Sequence, residues 1–283
     1  MKPIRELLNF SVINIDKPVG PTSFTVSEFV KRKLSEFGIS KTSHMGTLDP
    51  AVSGVLPVTI GRACRLAGFL LGERKTYIGI LHCHKEQGIG KLQEIINKNF
   101  TGKIKQTPPV KSAVKRQERE REVYRFELLE ESENKKDFLF IADVEGGTYI
   151  RKLCSDLGEM IGGANMLELR RIKAGLFDES SLVSLYDFEK AVEELKKGNE
   201  KLIRKMLFTA EDIIKRQMPF VEVKKQCVKA LLTGKPLFER DIVDLNKLPA
   251  EGHYAVFSDN KFVEIAKRID DWDRIGKAEF VFD

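Results

Sequence analysis

Asp49 lies in His44-Met45-Gly46-Thr47-Leu48-Asp49-Pro50, a stretch too polar and too rich in turn residues for a core element. Pro50 steers Asp49 away from the α region into extended or turn backbone, and Gly46 permits an irregular conformation just upstream. A carboxylate presented this way can serve as a nucleophile or a general base. The same Asp-Pro pair can also simply make a turn or cap the next segment. A second stretch, GGTYIRKLCSDLGE, opens on Gly146 and Gly147, which let backbone approach a ligand closely, and puts Arg151 at the start of a helix. A cation there opposes the helix macrodipole. Either it pairs with a carboxylate elsewhere, Asp49 being the candidate, or it is a solvated arginine on a helix edge. The third stretch, QTPPVKSAVKRQEREREVYR, carries Lys111, Lys115 and Arg116 in a proline-stiffened loop suited to backbone phosphates. Its second half alternates Arg and Glu and reads as solvated surface.

Other chemistries are excluded by what the sequence lacks. GIGK at 88–91 has no third glycine, and no G-x-x-x-x-G-K-[ST] occurs, so nucleotide-cofactor binding is not expected. His82 and His84 flank Cys83 and would share a strand face, but no third ligand is near in sequence; polar residues on a strand face are the favoured reading over a metal site. The four cysteines stand far apart without CxxC spacing, which fits a reduced, cytoplasmic setting. No apolar run approaches the ~20 residues that span a bilayer, and MKPIRELLNF lacks a signal-peptide core. The net charge of +6 fits a polyanionic partner, although an ordinary soluble enzyme can carry it too.

The elements that must position these residues follow from apolar periodicity. SVINIDKPV reads as a strand, TSFTVSEFVKRKL as a helix, and the polar segment up to Gly61 as a long functional loop. RACRLAGFL is expected to be helical, YIGILHCH a strand, KLQEIINKNF a helix, and VYRFELLE with DFLFIADVE a hairpin. Ile150, Leu153, Leu157 and Ile161 mark a helix, NMLELRRIKAGLF a final strand, and YDFEKAVEELKK and LIRKMLFTAEDIIKR two further helices. The tail holds short strands (FVEV, HYAVFS, KFVEIA, AEFVF) expected to form a small barrel or sandwich. The division falls between residues 1–216 and 217–283.

Taken together, IDKPVGPTSF, HMGTLDPAVSGVLPVTIGRA, KTY at 75–77, PPVKSAVK, GGTYIRKLCSDLGE and LRRIKAG resemble, in order, the motifs of the TruB/dyskerin family of pseudouridine synthases. The spellings TLDPAVSGVLPV, YIGILHCHKE and PPVKSAVK are most similar to its archaeal branch, the catalytic subunit of box H/ACA RNA-guided complexes. The resemblance implies a mixed α/β fold, with a largely antiparallel sheet, flanking helices and a cleft across its centre. It also implies a small C-terminal β-barrel of the PUA type that binds RNA, on which residues 1–10 would dock.

Carried over by residue, the resemblance makes Asp49 the catalytic aspartate, Tyr77 the ring stacking on the target base, and Arg151 the partner that orients Asp49. His44 would help hold the flipped nucleotide, Lys17 and Pro18 would support the loop, Leu169 would wall the pocket, and Lys111 and Lys115 would bind the target. No cofactor or metal is implied. The expected partners are H/ACA guide RNA, ribosomal RNA and small accessory proteins: a zinc-ribbon-like peptide, a small β-barrel protein and a kink-turn-binding protein. The alternatives are a stand-alone enzyme acting on the T-loop uridine of transfer RNA at position 55, and a catalytically silent RNA-binding scaffold.

Overall fold

The computed structural model describes residues 2–70, 74–107 and 117–282. The chain packs as two compact units, Met1–Leu207 and Phe208–Asp283.

The first unit is built on strands β1 (Phe10–Lys17), β2 (Thr42–His44), β3 (Val52–Gly61), β4 (Lys75–Cys83), β5 (Gly102–Gln106), β6 (Arg119–Glu131), β7 (Asp137–Val144), β8 (Ala164–Ala174) and β9 (Phe177–Asp178). They lie in the order β1-β3-β8-β4-β7-β6-β5, with β2 added to β3 and β9 to β8. β4 and β7 bury every second residue, the period expected of strands covered on one face. Helices α1 (Ile4–Asn9), α2 (Ser23–Leu34), α3 (Ala67–Leu70), α4 (Ile89–Asn99), α5 (Ile150–Ile161), α6 (Leu185–Lys196) and α7 (Lys201–Met206) accompany the sheet. α5 puts Ile150, Leu153, Cys154 and Leu157 into the core at three- and four-residue steps. α2 and α6 begin where the hydroxyls of Thr22 and Ser184 accept amides of their first turns. The expected helix RACRLAGFL is a 3₁₀ turn over Arg62–Leu66 followed by the short α3.

Two antiparallel halves of this sheet meet at one place. β3 and β8 pair in parallel over only three positions, Val52 with Leu169, Ser53 with Arg170 and Gly54 with Arg171. Gly54 has φ +102°, and an added Cβ there would stand 2.2 Å from the carbonyl oxygen of Arg171, so only glycine lets the strands approach this closely. The Asp49 loop runs directly into this junction.

Between the units the expected continuous helix LIRKMLFTAEDIIKR is interrupted. α7 ends at Met206, β10 (Leu207–Thr209) follows, and α8 (Ala210–Gln217) begins afresh, with the Thr209 hydroxyl accepting the Asp212 amide. α8 thus lies in the C-terminal unit, which begins at Phe208. That unit contains β11 (Phe220–Glu222), α9 (Lys225–Leu231), β12 (Leu237–Phe238), β13 (His253–Ser258), β14 (Lys261–Asp271) and β15 (Arg274–Val281). Its sheet order is β11-β13-β14-β15-β12. Register shifts in the β13–β14 and β14–β15 ladders curl it into a half-barrel, consistent with a PUA-like domain.

Candidate active site

Asp49 occupies a loop pinned from several sides. The Ser23 hydroxyl both accepts the Leu48 amide at 2.8 Å and donates to the Leu48 carbonyl at 3.0 Å. Amides of Met45 and Gly20 donate to the carbonyls of Pro57 and Pro50, and the Met45 and Leu48 side chains are buried. Val52 closes the turn by donating to the Asp49 carbonyl at 3.0 Å. A loop with its backbone groups satisfied in this way is held in one conformation. Asp49 itself stays half-exposed, and its Oδ2 accepts a hydrogen bond from Arg151 NH2 at 2.7 Å. The cation that opposed its own helix dipole is therefore paired, across 102 residues of sequence, with the one carboxylate whose local backbone had marked it as unusual.

Lys17 lies beneath this loop. At the end of β1 it is fully buried, donating from Nζ to the carbonyls of Val52 at 2.7 Å, Pro18 at 2.9 Å and Pro50 at 3.4 Å. Burial pulls its ammonium below the ordinary lysine value; Asp49 opposes that shift and Arg171 adds to it. Pro18 meets Lys17 through its main-chain oxygen. His44, the last residue of β2, is half-buried and shares a hydrogen bond between Nε2 and the Thr47 hydroxyl at 3.1 Å. Burial first, and Arg171 second, hold its imidazole below the usual range, which favours the neutral ring near pH 7.

Arg171 is the residue that sequence reasoning missed. It is fully buried, donating from Nε to the Val55 carbonyl at 2.7 Å and from NH2 to the Gly46 carbonyl at 3.0 Å. Tyr77 is its partner in the β4–β8 ladder and acts on its guanidinium electrostatically. Burial lowers its proton affinity and Tyr77 opposes that, yet an arginine stays charged in proteins. Tyr77 faces it across the ladder from β4, and both Tyr77 and Leu169 are buried in the junction of β3, β8 and β4. Strand alternation was the available signal: of Arg170 and Arg171, one must face inward. Arg170 is the outward one, paired with Asp16 and Glu179.

Gly46, at φ +92°, leaves room for these cations. An added Cβ would be 3.2 Å from Lys75 Cε and 3.4 Å from Arg171 NH1. Lys75, Lys17 and Arg171 together place three buried cations around the aspartate loop. The structure thus joins Asp49, Arg151, His44, Lys17, Pro18, Tyr77 and Leu169 in one neighbourhood; Lys111 and Lys115 lie outside the described residues.

Among the described residues no group of three or more His, Cys, Asp or Glu side chains could hold a metal. His82 instead meets Asp137 at 2.6 Å, and His84 meets Asn165. No helix among them is long and apolar enough to cross a membrane.

If the Asp49 loop is an active site held in place by Arg171, Arg171→Met and Arg171→Lys are each expected to slow the single-turnover reaction there by about 10²-fold, the scale of a 1 Å misplacement of reacting groups. The lysine keeps a cation but lacks the planar fork that lets the arginine hold the Val55 and Gly46 carbonyls together. A wild-type rate in the methionine variant would show that the loop holds without it.

Comparison with known proteins identifies the family. "TruB family pseudouridylate synthase (N terminal domain)" matches residues 31–150, and "tRNA pseudouridylate synthase B C-terminal domain" matches residues 151–215. A probable tRNA pseudouridine synthase B of Korarchaeum cryptofilum is 41% identical over 98% of this chain and 85% of its own length. That of Archaeoglobus fulgidus is 38% identical over 95% and 82%. Among solved structures, the Cbf5 chain of a Cbf5-Nop10-Gar1 complex covers 100% of this chain and 88% of its own, with TM-score 0.87 and 34% identity. An H/ACA RNP bound to a substrate RNA containing 2′-deoxyuridine gives 100%, 88%, 0.85 and 32%. The chain belongs to the TruB family of pseudouridine synthases and is an isomerase acting on RNA.

Proposed function

We propose that this chain is the catalytic subunit of a box H/ACA guide ribonucleoprotein that converts uridine to pseudouridine in ribosomal RNA, with Asp49 as its catalytic carboxylate. The observation that carries the catalytic part is the Asp49–Arg151 pair, joined across 102 residues on a pinned, half-exposed loop. Isomerisation breaks the C–N glycosidic bond, turns the base over and forms a C–C bond to the same ribose carbon. It is redox-neutral and calls for a carboxylate kept ionised, a pocket for an extruded base, and an aromatic ring to stack on it. Asp49 with Arg151, the junction walled by Leu169, and Tyr77 fill these three roles. His44 helps hold the flipped nucleotide, and Lys111 and Lys115 contact target phosphates.

The guided reading is supported by the likeness over the whole chain to proteins solved with Nop10, Gar1 and substrate RNA. By analogy, this chain would work with a guide RNA and small accessory proteins, its C-terminal half-barrel serving as a PUA-type RNA-binding domain. A second reading, a stand-alone enzyme for the T-loop uridine of transfer RNA, is favoured by the names of the relatives. Pseudouridine formation measured on unmodified transfer RNA, and on a ribosomal fragment with a matching H/ACA guide and accessory proteins, separates the two. Conversion only in the guided reaction is expected; efficient conversion of bare transfer RNA would replace the guided reading by the second.

A further inference from the structure

Arg151 holds Asp49 from the second residue of α5, and α5 has no side-chain cap: the preceding residue, Tyr149, offers none. The main chain at Tyr149 is instead gripped from a strand far away in sequence. Gln106 ends β5 and is 4% exposed. Its Nε2 donates to the Tyr149 carbonyl at 3.2 Å, and its Oε1 accepts the Tyr149 amide at 3.0 Å. A carboxamide presents one donor and one acceptor side by side. It can therefore pair with both main-chain groups of an extended residue, and Tyr149, with φ −95° and ψ 101°, is extended. The neighbouring strand holds the same segment. The Glu122 amide donates to Glu145 Oε2 at 3.1 Å, Arg121 NH1 donates to Glu145 Oε1 at 3.4 Å, and the Arg121 guanidinium lies against Gly147.

We infer that Gln106 is a positioning residue for the isomerisation: by holding both main-chain groups of Tyr149 it sets where α5 begins, and so where Arg151 holds Asp49. It acts through Tyr149 and Arg151. The inference rests on the reading of Asp49 as the catalytic carboxylate. In the sequence, Gln106 also opens the proline-rich basic stretch read as target-binding, so the residue that aligns the chemistry is followed directly by the segment assigned to RNA.

Two substitutions test this in the full chain, on whichever RNA substrate the wild type converts. Gln106→Met keeps length and removes both hydrogen bonds. It is expected to lower the single-turnover rate by about 10²-fold, with RNA affinity changed by no more than about twofold. Gln106→Glu introduces a carboxyl that, when protonated, has a donor and an acceptor in the places of the amide's, and when ionised repels the Tyr149 carbonyl. Its rate relative to wild type is expected to climb as the pH is lowered from about 8 to about 5, across the range in which a buried carboxyl titrates. The relative rate of Gln106→Met should stay flat. A wild-type rate in Gln106→Met, a loss confined to RNA affinity, or a relative rate of Gln106→Glu that does not change with pH would each overturn the inference. Turnover persisting in Asp49→Asn would instead remove the underlying reading, an outcome that the Gln106 variants do not produce.

Discussion

Asp49→Asn is expected to lower pseudouridine formation by at least ~10³-fold, the scale of losing an essential nucleophile or general base, while leaving RNA affinity nearly unchanged. The substitution is close to isosteric. The side-chain oxygen that accepts from Arg151 at 2.7 Å remains available in the amide, and the contacts of Leu48, Gly46 and Val52 that hold the loop involve main-chain groups that the substitution leaves in place. The pocket should keep its shape. What disappears is the charge and its lone-pair reactivity: an amide neither attacks carbon nor takes a proton near neutral pH. Attack on the ribose C1′, attack on the base and proton abstraction are therefore all lost together. Single-turnover assays of pseudouridine formation, paired with RNA-binding measurements, check both halves of the expectation. Turnover at a substantial fraction of wild type would sink the assignment of Asp49, and a large loss of affinity would turn it into a binding residue.

The second large effect concerns the stability of the C-terminal unit. Glu264 on β14 is fully buried, neither carboxylate oxygen has a hydrogen-bond partner, and burial pushes its pKa up to about 8. The groups that sense its charge are Tyr254 on β13, whose hydroxyl donates to the Ile275 carbonyl, and Cys227 on α9. Arg268, further along β14, acts on Tyr254 as well. Because the folded pKa lies above the ordinary 4.5, the folded unit keeps a proton that the unfolded chain has lost between those two values. The unfolded state then binds fewer protons, and stability falls as pH rises through that window, by up to roughly 1–1.5 kcal/mol per pH unit. The contribution is fully present below about 4.5 and lost above about 8. Glu264→Gln, neutral throughout, is expected to match wild type near the acidic end and to exceed it in stability near pH 9. Amide hydrogen exchange of β13, β14 and β15, comparing the two proteins at the same pH, reads this within the unit concerned. Equal protection at pH 9 would mean that the carboxyl finds a partner when it ionises.

The sequence signals that pointed to the site were local ones. Pro50 and Gly46 mark the Asp49 backbone as irregular without reference to anything distant, and a cation at the start of α5 announces a missing partner. Alternation in β4 and β7 and the three- and four-residue steps of α5 were equally readable, because one covered face imposes its own period. The break at Leu207–Thr209 was concealed by apolar residues that continue the helical spacing, although Thr209 followed three residues later by Asp212 is a capping signal.

The amino-acid sequence alone therefore pointed to one carboxylate on a constrained loop and one arginine in need of a counter-ion, and the family resemblance added Tyr77. How they are held depends on contacts with no sequence period. Arg171 reaches Val55 and Gly46 across 116 and 125 residues, Gln106 reaches Tyr149 across 43, and three positions of parallel pairing bring β3 against β8. Burying an arginine or a glutamine is favourable only when specific carbonyls and amides from other strands satisfy it, and which strands those are is a property of the folded sheet.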